Sequence, residues 1–214
     1  MPAPVPAPEV GRARAAETRT VLDDGSPVTT LPAAARTGGT LRIALRWTPQ
    51  VSAGGLRRST DVHLGCLWET RDGHSGSVQA LGGFLAAPGY GTRQVLRLGP
   101  RTEEEGEELL VDTRHLDVLR RVVLFLHGTR GAPDWAALDP HVTLRRRDGS
   151  RLQAWAGAPA PGARTCALLS VHDVAGDLVV RREAEWFTGP AAEVAAAYGF
   201  DVDWDPTGTV PRAS

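Results

Sequence analysis

The sequence predicts an all-β protein, a sandwich of two mainly antiparallel sheets with one or two short helices. Three observations predict it. Short segments of alternating polarity recur along most of the chain and are broken by turn residues. One segment, VVLFL at 122–126, is apolar on both faces, as a central strand covered from both sides must be. Helical signals are confined to two short stretches, which leaves sheet-on-sheet packing as the way to bury the apolar faces.

Residues 1–38 are rich in Pro, Ala and Arg, and prolines at 2, 4, 6 and 8 favour extended backbone. The stretch holds too little apolar surface to offset the entropy of ordering it, so a disordered tail is expected. A single folded domain is expected over 39–206, with 207–214 as a flexible C-terminus. Within the domain, 40–47 (TLRIALRW) alternates, and 61–69 places Val62, Leu64, Cys66 and Trp68 on one face. Arg71-Asp72-Gly73 is a turn from which 77–81 returns, forming a hairpin. Further strands are expected at 94–98, 107–111, 121–126, 142–147, 152–155, 165–171 and 178–187, with Asp148-Gly149 turning one hairpin. A turn of helix is expected at 113–119. A second helix over 190–198 starts at Gly189-Pro190 and stops at Gly199.

Composition narrows the function classes. The 214 residues carry 24 basic against 25 acidic side chains and no basic stripe interleaved with aromatics, so nothing points to nucleic acid. The apolar runs are far too short for membrane insertion, and the first residues lack the apolar core of a secretory signal. A cytoplasmic protein is expected, with Cys66 and Cys166 as buried free thiols in apolar runs. All 24 basic residues are Arg, with no Lys and no Asn. That pattern matches the codon usage of a GC-rich bacterial genome and gives no reason to treat each Arg as functional.

Two alternative functions are carried by particular residues. The stretch RVVLFLHGTRG at 121–131 has the strand-end His-Gly found beside the oxyanion hole of α/β-hydrolases, which makes His127-Gly128 the basis of a small-hydrolase reading. No serine after Gly131 lies in a nucleophile elbow, which argues against it. Sugars stack on exposed indoles, and Trp135 and Trp204, both in loops, carry a carbohydrate-binding reading. The acidic run EEEGEE at 103–108 is either a charged surface loop or a source of carboxylates for a hard cation.

Three stretches in order resemble the TerD-type tellurium-resistance and stress-response domain, in its divergent TerA-like branch. These are STDVHLGCLWETRDGHSGSVQALGG (59–83), EGEELLVDTRHLDVLRRVVLFLHGTRGAPDW (105–135) and RTCALLSVHDVAGDLVVRREAEWFTGPAAEVAAAYGFDVDW (164–204). The resemblance implies a TerD-like β-sandwich that is not an enzyme. It also implies a binding or scaffold role among other proteins of a stress-response or membrane-associated complex. In the family, carboxylates bind calcium. Here Asp61 matches the first Asp of its D-x-D and His63 the second, while Glu107 matches the Glu of its G-E-x-L. Its acidic D-D-R-x-G loop corresponds to Gly99-Pro100-Arg101-Thr102, where both aspartates are missing. The resemblance therefore implies weakened or absent Ca2+ binding through Asp61, His63 and Glu107, with Glu103 and Glu104 as substitute ligands.

Overall fold

Alternating side chains give each strand one face to bury, and two sheets close over the residues so buried. The computed structural model describes residues 18–31, 39–56, 59–90, 93–102, 106–146 and 149–212. One sheet orders its strands β1 (Arg19–Leu22), β11 (Arg151–Trp155), β10 (His141–Arg145), β3 (Thr40–Arg46), β8 (Glu107–Asp112), β7 (Arg93–Leu98) and β6 (Ala86–Tyr90). The other runs β2 (Val28–Leu31), β13 (Asp177–Phe187), β12 (Thr165–Val174), β9 (Leu119–His127), β4 (His63–Thr70) and β5 (Ser75–Gln79). Among these described strands β1 and β11 pair in parallel. The remaining pairs are antiparallel, as the expected hairpins require. The all-β sandwich read from the sequence is the fold observed.

The core lies between the sheets. Leu41, Ile43, Leu45, Leu109, Val111, Val142 and Leu144 face it from one side. Leu64, Cys66, Leu124, Leu126, Cys166 and Val180 meet them from the other. β9 holds the central position its apolar run demanded, between β4 and β12. Its opposite face presents Val123 and Phe125, which join Leu67 and Ala167 beneath helix α2 (Ala191–Ala197). Ala191, Val194 and Ala195 supply the apolar side of α2, and Gly199, with φ of 64°, ends it as expected. A bulge between Ala167 and Leu169 keeps both Leu168 and Leu169 buried where strict alternation would expose one. The turn expected after β8 is a 3-10 turn, Thr113–Val118, capped by Asp112, whose carboxylate accepts the Arg114 amide. A second short helix, α1 (Trp135–Leu138), was not expected.

Two expected boundaries need correction. The stretch expected as a tail, 1–38, contributes both β1 and β2, one strand to the edge of each sheet. Its composition hid them because each strand is only four residues and takes its pairing from partners far along the chain. Leu22 is buried in the core, and Arg182, through Nη1, reaches Asp24 to tie the intervening loop to β13. The C-terminal stretch is also ordered through Arg212. Asp205 accepts the amides of Thr209 and Val210, and the Ala192 amide donates to the Gly208 carbonyl. β6, rich in Ala, Gly and Pro, carries little strand signal and escaped the sequence reading.

Candidate functional site

Three chain segments converge at one end of the sandwich: the approach to β4, the start of β8, and the loop that follows β7. Gly106 makes the convergence possible. Its φ is 73°, and a Cβ there would stand 2.0 Å from the Leu45 carbonyl oxygen, so only glycine lets the chain pass this close to β3. The passage aims Glu107 toward β4, where its side chain is wholly buried.

A buried carboxylate must be satisfied, and Glu107 is. One oxygen accepts the Leu64 amide at 2.6 Å. The other faces His63 Nδ1 at 2.8 Å and Arg101 Nη1 at 3.0 Å. With a carboxylate this near, Nδ1 carries the ring proton and donates it. Burial alone would raise the Glu107 pKa, but the donors from His63, the Leu64 amide and Arg101 outweigh it and hold the carboxyl below the ordinary range. Arg101 does more than pair with Glu107. Its Nη1 also donates to the Val62 carbonyl and its Nη2 to the Thr60 carbonyl, while its guanidinium lies 4.9 Å over the Trp47 ring.

Asp61 stands beside this group, with Oδ1 3.6 Å from His63 Nε2. Its carboxylate is committed elsewhere. It accepts the Thr129 hydroxyl at 2.6 Å, the Thr129 amide at 3.0 Å and the Arg130 amide at 2.6 Å, which pins the loop leaving β9. Burial opposes its charge, yet those hydrogen bonds lower its pKa.

The structure places Asp61 and Glu107 on either side of His63, so the three expected residues are neighbours. Glu103 and Glu104 lie outside the described residues. What sequence reading missed is Arg101 together with the carbonyls of Thr60 and Val62. The available signal was an arginine left standing in a loop stripped of its carboxylates. Calcium takes six to eight oxygens at about 2.3–2.6 Å. The set as arranged does not fit it: Asp61 is held by amides and a hydroxyl, His63 offers nitrogen, and a guanidinium stands against Glu107. Among the described residues, no group of three or more His, Cys, Asp or Glu side chains is placed to hold a metal ion.

The residues behind the alternative readings find structural roles. His127 is the cross-strand partner of His63, with ring centroids 5.6 Å apart, and it is buried. Desolvation pulls its pKa down to about 4, and neither ring nitrogen has a hydrogen-bond partner among the described residues. A general base needs a proton donor in reach, and His127 has none there. Gly128 is small because a Cβ would meet the Gly131 carbonyl at 2.6 Å, a packing reason for the His-Gly pair. Cys66 and Cys166 are free and buried, and desolvation raises both thiol pKa values, so neither is an activated nucleophile. Trp135 is a core residue, its Nε1 donating to the Ala163 carbonyl at 2.7 Å and its ring 5.2 Å from Trp186. Trp204 is half-buried against the cluster under α2. Trp135 is therefore closed to sugar stacking, and Trp204 is partly covered by the cluster it packs against.

No helix among the described residues is long and apolar enough to cross a membrane. No family model matches the chain. The chain is 27% identical over 177 residues to the tellurium resistance protein TerA of an Alcaligenes species, the match covering 78% of this chain and 51% of TerA. It therefore spans about half the length of the curated relative it matches. Over most of its length, this β-sandwich is distantly similar to a tellurium-resistance protein.

Proposed function

We propose that the chain is a non-catalytic, TerD-like stress-response module of the tellurium-resistance kind, a binding or scaffold unit whose calcium binding is weakened or lost. On this reading it works in the cytoplasm among other proteins of a stress-response or membrane-associated complex. The observation that carries the reading is the state of the ligand set. Asp61, His63 and Glu107 lie near one another, yet each is committed to partners within the chain and the three do not converge on a common point for a metal ion. The likeness to TerA supports the tellurium-resistance side of the reading. The buried thiols, and a His127 without a hydrogen-bond partner among the described residues, speak against the hydrolase alternative.

Thermal unfolding with and without calcium tests it. A ligand that binds the folded state stabilises it by RT ln(1 + [L]/Kd), so a site of micromolar affinity raises stability by about 4 kcal/mol at millimolar metal. The expected result is no rise in Tm at millimolar calcium. A clear rise would overturn the loss of calcium binding while leaving the scaffold role standing.

A further inference from the structure

Three oxygens of different origin point at one spot near the mouth of the sandwich: the Thr60 carbonyl, the Val62 carbonyl and the buried carboxylate of Glu107. Two main-chain carbonyls and a carboxylate make an electronegative pocket that requires a cation, because carbonyl dipoles turned on a buried carboxylate are otherwise mutually repulsive. The cation present belongs to the chain. We propose that Arg101 is a built-in cation, its guanidinium holding the position a metal would take and making the site permanently occupied and independent of any ion. The proposal rests on the reading that calcium binding is lost, and adds to the missing aspartates a resident charge that keeps an ion out. A guanidinium suits the place. Its planar fork donates to two carbonyls and a carboxylate at once, and its face lies over the Trp47 ring, where a strongly hydrated ion would have to shed water against carbon. Two segments are thereby drawn together without metal, the one entering β4 and the one entering β8.

The inference requires that the oxygens accept a hard cation once the guanidinium is gone. Terbium is the probe, because Trp47, beside the Arg101 guanidinium, sensitises its emission at that spot. Wild-type protein, Arg101→Ser, Arg101→Gln and Arg101→Lys are titrated with terbium under tryptophan excitation and then with calcium as competitor. The expected result is a dark wild type, a rise of at least tenfold in saturable, calcium-competed emission for the Ser and Gln variants, and a dark Lys variant. Adding Glu107→Gln to Arg101→Ser returns the emission to the wild-type level. A Ser or Gln variant that folds only with calcium present supports the proposal equally. Ser and Gln variants that take up neither ion, whether folded or not, overturn it while the loss of calcium binding stands. Emission from the Lys variant also overturns it, since charge would then not be what excludes the metal. Calcium-competed emission from the wild type sinks both the proposal and the reading beneath it.

Discussion

Glu107 shows how much one side chain can be asked to hold. It satisfies a strand amide, a histidine and an arginine while wholly buried, so removing its charge strands the guanidinium of Arg101 against two carbonyls. Breaking one partner of a buried pair costs about 3 kcal/mol, and Glu107→Gln is expected to lose that much in urea unfolding near neutral pH. The effect is pH-dependent with a definite sign. The folded carboxyl titrates below its ordinary value of 4.5, so its contribution is complete above that value and fades as pH falls toward the folded one. The Gln variant therefore shows a shallower loss of stability below about pH 4.5 than the wild type, and the two curves approach one another in acid. The carboxylates of Asp61 and Glu69 are also lowered, so acid still destabilises both proteins. Asp61, His63 and Glu107 could be named from the sequence because motif order placed them. Arg101 was harder to name, because among so many arginines the one left standing in a loop without its aspartates is a faint signal until its partners are seen.

At the level of elements, Arg121 joins helix to sheet. From β9 it donates through Nε to Glu69 Oε2 of β4 at 2.6 Å, and through Nη1 and Nη2 to the carbonyls of Tyr198 and Gly199 at 2.7 and 2.8 Å. Those carbonyls lie at the end of α2, where backbone acceptors lack helical partners, and the guanidinium rests 4.3 Å over Phe200. Arg121→Met keeps the stem and removes the donors. It is expected to cost about 1–2 kcal/mol and to speed amide exchange selectively across residues 194–200, as read by hydrogen-exchange mass spectrometry. Apart from β6, the strands from β3 onward were readable because alternation and turn residues agree there, and β9 announced its central place by being apolar on both faces. β1, β2 and β6 were not readable, since four or five residues of Thr, Val, Ala or Pro give no periodicity and owe their form to pairing. Trp135 and Trp204 misled for a related reason. A loop position says nothing about burial when a loop folds back over an apolar face.

For the molecule as a whole, the first described strands close one edge of each sheet. A chain beginning at Gly39 loses both, leaves the edges of β11 and β13 unpaired, and opens the place of Leu22, which is 2% exposed. Losing that one side chain from the core is worth about 2–3 kcal/mol, so such a chain is expected to melt roughly 5–10 °C below the full one and to self-associate through its new edges. Differential scanning calorimetry with light scattering reads both, and an unchanged Tm would show the two strands to be ornamental. These same strands also order events in time. β1 and β2 leave the ribosome before almost everything they pair with, and Asp24 waits for an arginine 158 residues further on. Until β11 and β13 have been made, β1 and β2 have no strand to pair with. The earliest part of the described chain to be synthesised therefore waits for partners that are among the last strands made.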